Sequence, residues 1–286
     1  MVEELSGFDF DGIEENVKDI SSLWYNPFPD WTNGTFFKHY SDPGPLPGRE
    51  DDYKRFGWLD EKYQVVKPVI YKLNKYGFRT PFTKEPSLVV AGCSNTFGSG
   101  LNIEQTWGYK LAKKLDLPLV NIATPGASND QVYRLVKTFL PELSPKLLVC
   151  LMPDSHRHEF FIRRYTSHNS NKEIEETLPK SVNINTFHKE EKADKYSFNL
   201  VMKEYIEQNC TTPEYQLSNF NRNIDAIKGA VDCNFYYLSM NRYLGIKFKK
   251  TFDVKTRASW GKARDLSHFG EGFQEQVAKD FLKLVT

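Results

Sequence analysis

The sequence predicts an α/β domain in which a parallel sheet is covered by helices on both faces. Three observations carry this. Short runs rich in Val and Leu recur at about 87–92, 117–123 and 147–152 without polar alternation, as strands buried on both faces require. Segments whose apolar residues recur at helical spacing lie between them. The order strand, helix, strand, helix, with connections of these lengths, is that of a sheet wound from βα units.

The elements follow in order. Residues 1–64 form an irregular extension, with Trp24, Phe28, Trp31, Phe36, Phe37, Tyr40, Phe56 and Trp58 interleaved among Pro27, Pro29, Pro43, Pro45 and Pro47. Leaving so many aromatics in water is costly, so this arm is expected to pack on the domain or to contact a protein partner or another subunit. The domain proper is expected over 65–286, opening with a short strand or hairpin that turns at Lys75-Tyr76-Gly77. A helix near 104–116 places Trp107, Leu111 and Leu115 on one face and Lys110, Lys113 and Lys114 on another. A second helix over 130–140 turns Val132, Leu135 and Phe139 inward, and Ser128 or Asn129 can cap it. From 156 to 212 the periodicity weakens, which reads as an insertion with a helix near 197–209. A helix over 213–231 then presents Tyr215, Leu217, Phe220, Ile224 and Ile227, and a fourth strand over 234–240 follows. The stretch 241–264 reads as a basic, solvated loop carrying Lys247, Lys249, Lys262 and Arg264, able at most to steer an acidic substrate. Phe273, Val277, Phe281, Leu282 and Val285 mark a final helix.

Charge and composition exclude several classes. With 38 Lys and Arg against 37 Asp and Glu, the net charge of +1 offers no electrostatic argument for nucleic acid or an anionic membrane. No segment approaches the ~18 apolar residues of a membrane span. The N-terminus carries acids where a secretory signal carries Lys or Arg. Cys93, Cys150, Cys210 and Cys233 show no paired spacing, so a reducing, cytoplasmic location is expected, or a virion if the chain is virus-encoded.

The chemistry is concentrated in two places. After the first strand, Gly92-Cys93-Ser94-Asn95-Thr96 leads into Gly98 and Gly100, which exposes Ser94 at the strand's C-terminal end. A phosphate-cradling loop is excluded because five residues separate Gly92 from Gly98 and no Lys follows; a dinucleotide fingerprint fails on glycine spacing. A serine nucleophile and a structural strand turn remain open on this stretch alone. Near the C-terminus, Asp265-Leu266-Ser267-His268 precedes the final helix. Serine becomes nucleophilic when an imidazole takes its proton, and a carboxylate that fixes the imidazole's tautomer completes the set. Asp265 also reads as a plain helix cap. The run His156-Arg157-His158-Glu159 suggests metal ligation, but no second ligand cluster matches it, so His156 and Arg157 are expected to touch substrate and no metal is expected.

Taken together, these blocks and Gly126 resemble the SGNH, or GDSL-like, hydrolase family over roughly 70–286. Gly92-Cys93-Ser94 is similar to its Gly-Asp-Ser block with Cys93 in place of Asp, Asn121 to Gly126 to its second block, and Asp265-x-x-His268 to its last. The resemblance implies a flavodoxin-like three-layer α/β/α domain in which Ser94 attacks, His268 is the base and Asp265 orients it. It makes the N–H groups of Ser94 and Gly126 the oxyanion donors, with no cofactor. One block departs: the family's third-strand Asn is replaced by Met152-Pro153-Asp154-Ser155, and an ionised Asp154 accepts hydrogen bonds without donating any. Asn129 or Asn95 is the candidate substitute donor, and Asp154 is then expected to line the substrate site. The expected function is an esterase, with a small acyl group on a carbohydrate as the favoured substrate. The alternative is a weakened or inactive scaffold of the same type serving as a binding or structural protein in a larger assembly such as a viral particle.

Overall fold

Four strands, Ser87–Gly92 (β1), Leu119–Asn121 (β2), Pro145–Met152 (β3) and Asn234–Ser239 (β4), form a parallel sheet in the order β4-β3-β1-β2. The computed structural model describes residues 35–36, 45–60, 62, 65–155, 157–162, 180–185, 205, 210, 212–240 and 260–286. The strand order is flavodoxin-like, 2-1-3-4. It reverses between β1 and β3, and in open α/β sheets ligands bind at the carboxyl edge of such a switch.

Helices cover both faces because alternate residues of the strands point to opposite sides. On one face Leu88, Val90, Val149 and Leu151 pack against Trp107–Leu115 (α1) and the last helix, Glu271–Val285. The Trp107 and Phe281 rings stack there at 4.8 Å. On the other face Val89, Ala91, Leu148 and Cys150 meet Asn129–Phe139 (α2) and Pro213–Gly229 (α3). The last helix is α4 hereafter. Full burial pushes the Cys150 thiol well above its ordinary value, so it is an inert core residue. The other three cysteines are also free. Among the described residues no helix is long and apolar enough to cross a membrane.

A third cluster joins the N-terminal segment to the sheet's carboxyl edge. Tyr53, from the helix Glu50–Arg55, and Trp58 pack with Val69, Tyr71, Phe97, Leu101 and Ala263. The Trp58 indole donates to the Lys262 carbonyl at 2.9 Å. The turn expected at Lys75-Tyr76-Gly77 forms because the Asn74 side chain accepts from the N–H groups of Tyr76 and Phe78. The expectations at Trp24, Phe28, Trp31, Phe37 and Tyr40 lie outside the described residues, as do His156, 241–259 and all but Tyr205 of the helix expected over 197–209.

Several expectations are corrected. β2 spans 119–121 rather than 117–123, because Pro118 has no N–H to give the ladder and contributes its carbonyl to Leu88 N instead. The first helix starts at Trp107, preceded by a separate 3₁₀ turn at Ile103–Gln105; the Thr106 side chain caps α1 by accepting from Tyr109 N. Within 156–212 the chain forms an antiparallel ribbon of Arg157–Ile162 with Lys180–Asn185. Tyr215 is exposed rather than inward, since it sits in the first turn of α3, where its ring leans on His158 at 5.8 Å. Arg264, expected in a solvated loop, is buried: its N–H is bonded to the Gly100 carbonyl, which draws the chain under the loop that follows Ser94.

If the α1/α4 face carries the fold as described, Trp107→Ala lowers unfolding free energy by about 3–5 kcal/mol. Urea denaturation should show a lower midpoint at unchanged slope. A loss below about 1 kcal/mol would mean that this stack is not part of the cooperative core.

Candidate active site

The chain leaves β1 through Gly92, and this position accepts no side chain. A Cβ there would stand 2.3 Å from Thr96 Oγ1 and 2.6 Å from the Leu151 carbonyl. The backbone can therefore turn sharply into the four-residue helix Ser94–Phe97, with Ser94 at its first position. So short a helix leaves its carbonyls without the partners a longer helix would supply. The first two are met locally, and the rest by side chains from other parts of the molecule. The Cys93 carbonyl accepts from Thr96 and Phe97 N, and that of Ser94 from Gly98 and Ser99 N. Gln274, on α4, donates to the Asn95 carbonyl at 3.2 Å, and Asn121, at the end of β2, to that of Thr96 at 2.9 Å. The buried guanidinium of Arg79 then serves Phe97, Gly98 and Leu101 carbonyls at 3.1, 2.9 and 2.9 Å. Arg79 lies over the rings of Tyr71 and Phe97, and the Tyr71 hydroxyl accepts from Gly100 N at 2.8 Å.

The Asp265–His268 segment reaches the same loop. Residues 261–270 fold back as a narrow hairpin, with Lys262 bridged to Phe269 and Ala263 N donating to the His268 carbonyl. Its tip carries Asp265 to His268. Leu266 adopts φ 56°, a left-handed conformation that a branched residue holds only when its surroundings impose it. The imposing contacts are visible: Asp265 Oδ1 accepts from Ser267 N and His268 N at 3.0 Å each, while Oδ2 engages His268 Nδ1. Gly100 has φ 74°, and a Cβ on it would lie 3.1 Å from both the carboxyl carbon and the N of Asp265. That absence of a side chain lets the loop after Ser94 press directly on Asp265.

Exposure separates the roles of the pair. The Asp265 side chain is 1% exposed, that of His268 24%. Burial by itself would raise the Asp265 carboxyl. The hydrogen bond and charge of the His268 ring, with the N–H groups of His268 and Ser267, outweigh it and hold the carboxyl below its usual range. With Nδ1 engaged by a carboxylate, the nitrogen left to exchange a proton is Nε2.

The remaining expected residues sit around this edge. Gly126 lies in the turn after β2 with φ 80° and is exposed. Neither its N–H nor that of Ser94 donates to another described residue. Ser128, not Asn129, caps α2 by accepting from Gln131 N at 3.2 Å. Asn129 is thereby released from capping. It is fully buried, and neither its amide nitrogen nor its oxygen has a partner among the described residues. Asn95 Oδ1, Thr96 Oγ1 and Thr124 Oγ1 are orphaned in the same way, and a buried orphan costs about 1–3 kcal/mol.

Asp154 is half-buried in the turn after β3. Arg157 donates to the Ala127 carbonyl at 3.3 Å, so it joins the segment after β3 to the turn after β2, the two turns that flank the end of β1. Its neighbours are committed elsewhere: Glu159 pairs with Arg134, and His158 is buried against Tyr215, where desolvation lowers its basicity. Among the described residues no group of three or more His, Cys, Asp or Glu is arranged to hold a metal.

Sequence reasoning missed Arg79, Tyr71, Gln274 and the anchoring role of Asn121. These contacts join residues far apart in the chain, and a lone Arg or Gln carries no periodic signal.

No protein-family model matches the chain, and no curated protein does. Among solved structures, the psychrotrophic esterase EstA from Pseudoalteromonas sp. overlaps 70% of this chain and 97% of its own at 12% identity and TM-score 0.36. A carbohydrate esterase described as having divergent catalytic and non-catalytic binding functions overlaps 71% and 69% at 12% and 0.34. TesA overlaps 70% and 98% at 14% identity and 0.32. Scores of this size carry no argument about what the chain does, which rests on its own residues.

Two outcomes follow. Arg79→Met should cost at least about 2 kcal/mol in chemical denaturation, because it removes a buried charged donor from several carbonyls. Arg79→Lys should recover only part, its ammonium lacking the planar fork; a cost under about 0.5 kcal/mol for Arg79→Met would contradict the clamp. For Asp265, folding holds the carboxyl below the ordinary carboxylate value of about 3.9. Its contribution to stability is therefore complete above that pH and is lost as pH falls through the lower folded value. The stability difference between native protein and Asp265→Asn should shrink on acidification below about pH 4. A difference independent of pH would show that the carboxylate form is not favoured by folding.

Proposed function

We propose that the chain is a serine acyl hydrolase of the SGNH type acting on small acyl esters, with an acetylated carbohydrate as the favoured substrate. The observation that carries this reading is the buried Asp265 paired to His268 and pressed on Gly100, in the loop that begins at Ser94. In the proposed reaction Ser94 Oγ attacks the ester carbonyl while His268 Nε2 takes its proton. Asp265 keeps Nδ1 protonated and stabilises the imidazolium. Charge on the carbonyl oxygen is met by the N–H groups of Ser94 and Gly126. A carbonyl oxygen arriving between them would also give the orphaned Asn129 amide its acceptor, replacing the Asn missing after β3. The alcohol leaves with the proton from His268, and water, deprotonated by His268, then releases the acid from Ser94. Arg157 and Asp154, from the segment after β3, would contact the alcohol portion. None of these steps needs a cofactor.

A second reading, a binding or structural protein on a weakened hydrolase scaffold, rests on Asp154 standing where a donor is needed. Turnover of p-nitrophenyl acetate and of an O-acetylated xylo-oligosaccharide separates the two. Ser94→Ala and His268→Ala should each lower kcat by about 10³-fold or more, and Asn129→Ala by about 10²–10³. Hydrolysis unaffected by Ser94→Ala would sink the mechanism, and a folded native protein without turnover would favour the second reading.

A further inference from the structure

A cavity of about 560 Å³ opens on the far side of the 261–270 hairpin from its Asp265–His268 tip, between that hairpin and the N-terminal segment. Its volume lies within the ~300–1,000 Å³ range of small-ligand clefts. Arg55, Lys67 and Lys262 line it, with the Phe56 ring and Trp260. Among the described residues none of the three cations is paired with a carboxylate. Lys67 Nζ donates to the Gly57 carbonyl at 3.0 Å, and Lys262 Nζ to that of Ser267 at 3.4 Å. Arg55 lies over the Phe56 ring at 5.3 Å.

The acid that lines the cavity, Glu271, is offset by Lys110, which stands 2.6 Å from it and 3.8 Å from Glu275, and the Gln105 amide donates to it at 3.3 Å, so its charge only partly counters the three lining cations. The cavity therefore carries an excess of positive charge in a chain whose net charge is only +1. A concave, partly desolvated wall strengthens that field relative to an open surface.

We propose that this cavity is a subsite for an acidic saccharide, whose carboxylate or sulfate oxygens are met by Arg55 and Lys67 while the sugar face rests on Phe56; the Lys262 ammonium, turned toward Ser267 in the hairpin tip, adds only its longer-range charge. Half-buried Phe56 leaves part of its ring accessible, whereas Trp58 and Trp260 are buried and serve as the floor. Because Lys262 belongs to the hairpin that presents His268, a ligand seated here lies against the element that positions the base. The consequence for catalysis rests on the hydrolase reading; the binding itself does not.

The test is calorimetric titration of Ser94→Ala protein, which cannot turn over ester, with trigalacturonate, a sulfated chondroitin disaccharide and neutral maltotriose. Binding by one or both acidic probes, weakened by salt and absent for maltotriose, is expected. Arg55→Gln and Lys67→Gln should each weaken binding about three- to fivefold. Equal binding of acidic and neutral probes, no binding of either acid, or binding unchanged in both Gln variants would overturn the proposal. Since turnover plays no part in the readout, these outcomes leave the hydrolase reading to be judged on Ser94 alone.

Discussion

A helix of four residues cannot satisfy its own carbonyls, and that constraint organises the site. Ser94–Phe97 ends in oxygens that must find donors or be left buried and unpaired. The molecule answers with side chains from three separate parts of the chain. Arg79 comes from the segment before β1, Asn121 from β2 and Gln274 from α4. Gln274 also accepts from Trp107 N at 2.9 Å, so one buried amide couples the start of α1, the Ser94 helix and α4. Holding Ser94 thus requires the whole α1/α4 layer to be in place.

The second dependence is on close approach. Gly92 admits the Leu151 carbonyl and Thr96, and Gly100 admits Asp265, so β3 and the C-terminal hairpin both press on the same few residues. The left-handed Leu266 fits this picture, because its backbone is fixed by the Asp265 carboxylate accepting two N–H groups beyond it. One carboxylate therefore shapes the turn and engages His268. Removing it would disturb geometry as well as charge.

Much of the fold was legible because it rests on local periodicity. Unbroken Val and Leu runs marked β1 and β3 within two residues, and the helical spacing of Val132, Leu135 and Phe139 marked the buried face of α2. Asp265 and His268 could be paired on paper because three residues of chain hold them within one turn. Arg79 could not, since its carbonyl partners lie 9 to 22 residues away and nothing in the sequence marks a guanidinium as buried. Arg264 was misplaced for the same reason. Its charge suggested solvent, whereas a backbone bond to Gly100 decided its position. In the sequence Asn129 and Ser128 compete for the cap of α2, and the fold decides between them: Ser128 takes the cap and the Asn129 amide is left orphaned.

The most direct test of the central claim is fluorophosphonate labelling read by intact mass and peptide mapping. The account predicts a single phosphonyl adduct on Ser94 in the native protein, at a rate that collapses in His268→Ala while the fold is retained. A well-folded native protein that takes no label, or a Ser94 adduct that forms as fast without His268, would contradict it.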